Sequence, residues 1–214
     1  MSTTIADIRK EYKLKSLSEA DAHPNAIDQF TRWWQEALKS DIDEVNAMTL
    51  ATASSDGLPS ARIVLLKGYD ANGFIFYTNY YSFKGQQLTE NPRGCLVLFW
   101  KELERQIRIT GLVAKTPATE SDAYFNIRPE GSRLGAIASP QSQVIANREW
   151  LETEVEHLKK EVSSNRIVRP AHWGGYRLMP TIIEFWQGRP NRLHDRIQYT
   201  LQDDATWKIE RLAP

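Results

Sequence analysis

The chain has no surplus of charge of either sign: Lys and Arg total 27, Asp and Glu total 27, in 214 residues. Binding to nucleic acid or to an anionic membrane leans on a broad basic field, so neither is expected, and cationic sites here must be local and shaped. No apolar run approaches the length of a membrane span, and the start, MSTTIADIRKEY, lacks the apolar core of a secretory signal. The single cysteine, Cys95, lies in the apolar run CLVLFW; a disulfide within the chain is excluded and a buried structural thiol is expected. There is no GxGxxG after a strand, no GxxxxGK followed by Ser or Thr, and no GxSxG. The histidines His23, His157, His172 and His194 have no metal-ligand spacing among themselves or with Cys95. Rossmann, P-loop, hydrolase and metal-centre readings therefore fall away, leaving a cytosolic, soluble enzyme or binding domain.

What is present is a strand-rich plan on a chain long enough for a sizeable core. The first twenty or so residues are polar and charged and are expected to be mobile until something docks them; residues 21–214 read as one domain. Ile27, Phe30, Trp34 and Leu38 recur at helical spacing and predict an amphipathic helix from about Asn25 to Lys39. VNAMTLATA, SARIVLLKGYD and FIFYTN are β-rich runs separated by Ser-Asp-Gly-Leu-Pro and Ala-Asn-Gly turns, which predicts an antiparallel meander. A short helix is predicted from Ser82 to before Asn91-Pro92, then a hairpin of GCLVLFW and ERQIRITGLVAK. Thr116-Pro117 reads as a cap and a first-turn proline, opening a helix that Pro129 stops after about Arg128. Further helices are predicted near Ser132 to Ala138 and from about Gln143 to Glu161, and four more strands from Trp173 to Leu212. Seven or eight antiparallel strands with peripheral helices and no βαβ rhythm indicate a mainly β, α+β fold, a closed or split barrel.

The most informative stretch is EFWQGRPNRLHDR, Glu184 to Arg196. Read as a strand around a Gly/Pro turn, it puts Arg192, His194 and Arg196 on one face and Leu193, Asp195 and Ile197 on the other. Like charges along one strand face repel, so the row suits an anionic ligand held by guanidinium forks beside a titrating imidazole. A solvated edge strand fits the same spacing equally well.

Other clusters combine cations with hydroxyls. In RIVLLK, strict alternation sends Arg62 and Lys67 to opposite faces unless the strand curls near Gly68. In YTNYYSFK, Tyr77, Thr78, Ser82 and Lys84 sit at a strand-to-helix junction, where free amides, hydroxyls and a lysine make a phosphate pocket; a plain serine cap beside a solvated lysine is the commoner use of such residues. Tyr124, Arg128 and Ser132 would suit a second phosphate, or else an arginine lying along a tyrosine. Gln106, Gln141 and Ser142 could read ring heteroatoms, and Trp186 suits a flat heteroaromatic ring. Together the residues describe a barrel binding phosphorylated aromatic molecules.

RIVLLKGYD, FYTNYYSFK, ERQIRITG, YFNIRPEGSRLGA, SPQS, WGGYRL, IEFWQG, RLHDR and WKIERLAP stand in the order and spacing of the pyridoxine/pyridoxamine 5′-phosphate oxidase family, which the chain resembles from about Arg9 onward. The resemblance implies an antiparallel FMN-binding split β-barrel, acting as a homodimer with FMN at the subunit interface. It implies FMN contacts at Arg62, Ile63, Val64, Leu65, Lys67, Tyr77, Thr78, Ser82, Lys84, Gln106, Gln141, Ser142, Trp186 and Arg196. It places substrate contacts at Lys67, Tyr124, Arg128, Ser132, Arg192 and His194. Arg192 and His194 are the expected catalytic residues, Arg192 as the main orienter and His194 helping to accept the proton that the alcohol must lose as hydride departs. Arg9, Lys10, Glu11 and Tyr12 match a stretch that folds over bound substrate. The implied reaction is oxidation of pyridoxamine and pyridoxine 5′-phosphates to pyridoxal 5′-phosphate in the cytoplasm, with O2 reduced to H2O2 and no metal. The alternatives are another split-barrel flavin reductase or a non-catalytic carrier of flavin or pyridoxal phosphate. One position departs from the family pattern: Phe83 stands where a basic residue is usual. A charge-assisted bond to phosphate is worth roughly 1.5–3 kcal/mol, so FMN is expected to be held more loosely unless another cation substitutes.

Overall fold

The computed structural model describes residues 4–8, 10–162 and 167–214. Arg9, one of the expected substrate contacts, lies outside the described residues. Five α-helices are described: α1 Ala26–Leu38, α2 Phe83–Glu90, α3 Ala118–Ile127, α4 Glu130–Ala138 and α5 Arg148–Val162. Nine strands accompany them: β1 Ala47–Ala53, β2 Pro59–Leu65, β3 Gly68–Asp70, β4 Gly73–Asn79, β5 Arg93–Trp100, β6 Arg105–Lys115, β7 Trp173–Gln187, β8 Asp195–Leu201 and β9 Trp207–Arg211. Among the described residues, no helix is long and apolar enough to cross a membrane.

The chain forms two compact units. Unit 1 comprises residues 1–49, 95–111 and 180–214; unit 2 comprises 50–94 and 112–179. Unit 1 is built on α1, whose Ile27, Phe30, Trp33 and Ala37 are buried along one face, with Phe185 packed edge-on against Trp33. Asn25 caps this helix by accepting the amide hydrogen of Ile27 at 2.8 Å. In unit 2 the buried set includes Phe74, Phe76, Leu88, Phe125, Leu134, Trp173, Tyr176 and Leu178.

Hydrogen bonds order the strands β2-β1-β5-β6-β7-β4-β3, with β8 on β7 and β9 on β8. This path does not close on itself. The expected four C-terminal strands are three, because WGGYRLMPTIIEFWQ is one strand of 15 residues. Its first part pairs antiparallel with β4, Trp173 opposite Asn79 through Leu178 opposite Phe74; its last part pairs antiparallel with β8, Ile182 opposite Thr200 through Gln187 opposite Asp195. Pro180 lies between the two registers, where its missing N–H costs neither ladder a bond.

Three helix starts differ from expectation. Pro117, not Thr116, holds the cap position of α3, while the Thr116 hydroxyl faces the Ser121 hydroxyl at 3.0 Å. Pro129 both ends α3 and opens α4, which begins at Glu130. The last helix starts at Arg148 rather than Gln143, since the Asn147 side chain accepts the amide hydrogen of Trp150 at 2.8 Å and fixes the first turn there. Cys95 is half-buried, more open than a core thiol.

The β3–β4 turn closes through Gly73, whose φ of +129° suits glycine alone and whose missing Cβ would lie 2.0 Å from the Leu178 carbonyl oxygen. Gly73→Ala is expected to cost more than about 3 kcal/mol, lowering the melting temperature by roughly 6–12 °C. Calorimetry of the variant checks this.

Candidate active site

Unit 2 contains a cavity of about 640 Å3, within the range that holds drug-sized ligands. Its lining includes Ile63, Val64, Leu65 and Lys67 from the end of β2 and the segment after it, with Tyr77, Thr78 and Asn79 from the end of β4. Lys84 joins from α2, Tyr124 from α3, Arg128 and Pro129 from the α3–α4 corner, and Ser132 from α4. Gln141 and Trp173 complete the functional wall.

Two cations define it. Lys84 is buried and donates to the Thr78 hydroxyl at 3.2 Å and to the Ser82 hydroxyl and Gln141 Oε1 at 3.4 Å. All three acceptors are neutral. Burial, with the Arg62 charge adding to it, pushes the Lys84 ammonium down to about 8. Ser82 itself caps α2, accepting the Gly85 amide hydrogen at 3.4 Å and donating to the Asn79 carbonyl at 2.7 Å. The cap and the phosphate-pocket readings of this junction therefore hold together, except that the lysine is not solvated.

Arg128, the second cation, has left the helix: its backbone is extended, with ψ of 147°. Its guanidinium lies 4.5 Å over the Trp173 ring. Burial pushes its pKa down, and its Nη1 is buried without a hydrogen-bond partner. Such a donor is costly to leave unmade. Tyr124 stacks on Tyr77 at 3.9 Å, and Tyr77 stacks on Trp173 at 5.6 Å. Burial first, then the Glu120 charge, raises the Tyr77 phenol to about 12, so it stays a neutral donor. Among the described residues no carboxylate pairs with Lys84 or Arg128.

The conflict between Arg62 and Lys67 has a simple resolution. Lys67 lines the cavity. Arg62 turns to its own sheet, donating to the Leu50 carbonyl at 3.2 Å, the Thr52 hydroxyl at 2.6 Å and the Ser60 carbonyl at 3.3 Å. Phe83 stands at the first position of α2, about half exposed. Ser142 is exposed, with φ of +73°.

The other expected residues belong to unit 1. A cavity of about 540 Å3 is lined by Ile8, Lys10, Glu11, Tyr12, Arg189, Asn191, Arg192 and His194. Here the shared strand face of Arg192, His194 and Arg196 is corrected. Pro190–Arg192 is a 3-10 turn, Asn191 and Arg192 have φ of +56° and +61°, and β8 starts only at Asp195. The turn set by Pro190 breaks the alternation before it begins.

Nor is Arg196 a free cation. Its Nε and Nη2 donate to Glu184 at 2.9 and 3.1 Å, and Arg108 bonds the same buried carboxylate. Burial pushes the Glu184 carboxyl up, and the two guanidiniums outweigh it, holding it below the ordinary value. Trp186 packs 4.6 Å from the His194 ring. Gln106 is half-buried in β6.

Sequence reasoning missed Asn79, Ser139 and Trp173 on the unit 2 wall, and Glu184 beside Arg196. Trp173 opens the quoted WGGYRL, yet nothing in its spacing marks it as a wall residue.

Two family models match this chain: "Pyridoxamine 5'-phosphate oxidase" over residues 34–160 and "Pyridoxine 5'-phosphate oxidase C-terminal dimerisation region" over 173–214. The chain belongs to the pyridoxamine 5′-phosphate oxidase family. Relatives named pyridoxine/pyridoxamine 5′-phosphate oxidase include one from a Nostoc species, 54% identical over 214 residues and covering both chains fully. Another, from Paraburkholderia phymatum, is 55% identical over 212 residues, 99% of this chain and 100% of that one. Among solved structures, PhzG from Burkholderia lata, in complex with tetrahydrophenazine-1-carboxylic acid, superposes with a TM-score of 0.88. It is 32% identical over 96% of this chain and 100% of its own. An FMN-binding protein from Nostoc punctiforme, 17% identical with a TM-score of 0.70 over 89% of this chain and 98% of its own, shares the fold. The fold class is the family's mainly β split barrel with peripheral helices.

Binding an anion favours protonated Lys84, so above about pH 8 the protein must take up a proton to bind. Affinity of the apoprotein for FMN is expected to fall with rising pH above that point, approaching tenfold per unit. Flavin-fluorescence titrations should show the slope in wild type and its loss in Lys84→Met.

Proposed function

We infer that this chain oxidises pyridoxamine and pyridoxine 5′-phosphates to pyridoxal 5′-phosphate, with FMN as cofactor and O2 as the electron acceptor that becomes H2O2. Membership of the family and full-length relatives of that name support the reaction. The observation that carries it to the residues is Arg128 Nη1, buried without a hydrogen-bond partner, in a cavity that also holds the buried Lys84 on three neutral acceptors. The donor set fits the phosphate of FMN: Lys84 is cationic and Thr78 neutral, and among the described residues no carboxylate pairs with Lys84. Arg62 adds positive charge near Lys84 but spends its own donors on the Leu50, Thr52 and Ser60 oxygens, so FMN is expected to be held more loosely for want of the family's basic residue at position 83.

The chemistry the flavin supplies when bound is acceptance of a hydride from the C4′ carbon of the substrate and return of the electrons to oxygen. The chain's own residues bind and orient. Lys67, Tyr124, Arg128 and Ser132 take the substrate phosphate, leaving the stacked rings of Tyr77, Tyr124 and Trp173 as a flat apolar wall. Arg192 and His194 hold the pyridine side.

His194 has a defined protonation pattern. Its Nδ1 lies 3.1 Å from the Arg189 amide nitrogen, and an amide hydrogen can only be donated, so Nδ1 is the bare nitrogen. Burial, then the Arg192 charge, pushes its pKa down. The neutral ring therefore presents Nε2–H as a donor. This replaces the proton-acceptor role with hydrogen-bond donation to the substrate.

FMN at the subunit interface and a cytoplasmic location belong to the same reading. The matched dimerisation region, residues 173–214, carries Trp186, Arg192, His194 and Arg196 as well as Trp173 of the unit 2 wall. A site completed by the second copy predicts complementation. Arg128→Leu and Arg192→Leu, each nearly inactive alone, should regain about a quarter of wild-type activity when their subunits are exchanged. No recovery in mixed dimers would show each site to be made by one chain. His194→Asn, which loses the donor geometry, should slow amine and alcohol substrates by similar factors, within about threefold of each other; steady-state rates on both substrates test it. Selective loss of alcohol oxidation would restore the proton-acceptor role.

A further inference from the structure

We propose that Glu104 is a positioning residue: its carboxylate fixes the N-terminal segment so that Tyr12 is seated beside His194. The proposal rests on the reading above of Tyr12 and His194 as substrate-side groups. Glu104 occupies the turn between β5 and β6 with a left-handed backbone, φ +54°. Its side chain is only 3% exposed. A buried carboxylate needs hydrogen bonds to be tolerable, and here they come from main chain some ninety residues earlier. Oε2 accepts the amide hydrogens of Lys13 at 2.8 Å and Leu14 at 3.0 Å; the Lys10 ammonium stands 4.0 Å from Oε1.

The other end of the same residue holds the active-site turn. The Glu104 carbonyl accepts the Gly188 amide hydrogen at 2.7 Å and the Gln187 side-chain amide at 3.2 Å. Glu104 thus ties the N-terminal segment and the turn after β7 to one point. Tyr12 lies between them. Its ring meets Trp186 edge-on at 5.7 Å and His194 at 6.0 Å. A Cβ on Gly188 would sit 2.7 Å from both Cβ and Cγ of Tyr12, so the tyrosine rests directly on a position that only glycine leaves open. A second anchor, Leu17 N–H to the Asp195 carboxylate at 3.0 Å, holds the segment downstream. Losing the Glu104 bonds therefore frees residues 10–14 without detaching the rest.

The consequence is a division of labour in the kinetics. Glu104 touches no substrate, so its loss acts through Tyr12 on substrate affinity and leaves the unit 2 phosphate pocket alone. In the holoenzyme, Glu104→Ala is expected to speed tryptic cleavage after Lys10 and Lys13 at least about tenfold. KM for pyridoxine 5′-phosphate should rise about tenfold, while kcat and FMN affinity stay within about twofold. Glu104→Gln keeps an oxygen that can accept both amide hydrogens and should restore wild-type cleavage and KM. Gly188→Ala, whose Cβ would press on Tyr12 at 2.7 Å and on Glu104 Cβ at 3.0 Å, disturbs the same contact from the other side and should also raise KM; it covers the case in which Glu104→Ala fails to fold. Wild-type cleavage and KM in Glu104→Ala would overturn the proposal, as would a raised KM with the segment still protected. Release of the segment at unchanged KM would keep the anchor and remove Tyr12 from the substrate site.

Discussion

A buried lysine and a half-buried arginine, with no carboxylate paired to either among the described residues, set the terms for unit 2. Each loses hydration on burial, and neither regains it from a counter-charge. Lys84 spends its donors on two hydroxyls and an amide oxygen; Arg128 lies over an indole with one nitrogen left over. Unit 1 shows the opposite arrangement, where Arg108 and Arg196 share the Glu184 carboxylate and each has an acidic partner within the chain. The contrast separates the cavity cations from the ion-paired ones by partner chemistry, which counting basic residues does not do.

Much of the fold was legible because its signals are local. The 3.6-residue recurrence in α1 and the turns around β1–β4 each act within a few residues, and the elements formed where those signals lie. The long strand β7 was not legible, since a proline inside it reads as a break unless one knows that the neighbour changes there. Asn147 was available as a cap but stands five residues into the stretch read as helix. In the cavity, Lys67, Tyr77, Thr78, Lys84, Tyr124, Arg128, Ser132 and Gln141 were all named from sequence. The row built on Arg192, His194 and Arg196 was not a row. Its dismissal needed two backbone angles and the cross-strand partner of Arg196, and neither is written in residue spacing.

The N-terminal segment shows how a polar stretch can be held without a core of its own. Its composition gave reason to expect mobility until docking, and apart from Leu17 it buries no apolar side chain among its described residues. It is held by main-chain amides, at Lys13 and Leu14 by Glu104 and at Leu17 by Asp195, with side-chain ion pairs from Lys10 to Glu104 and from Lys15 to Glu36 beside them. Amide anchoring leaves the side chains of Glu11 and Tyr12 to line a cavity, with Lys10 beside them. It also explains why sequence pattern is silent there: any residue but proline supplies the same N–H.

Pro180 has a bearing on how the chain can vary. A residue without an amide hydrogen at the crossover offers nothing for either flanking ladder to claim, so neither register can creep past it. The pairing to β4 and the pairing to β8 are thereby insulated from each other. Length changes in the loop before β8 need not propagate to the wall of aromatic rings at the other end of the same strand.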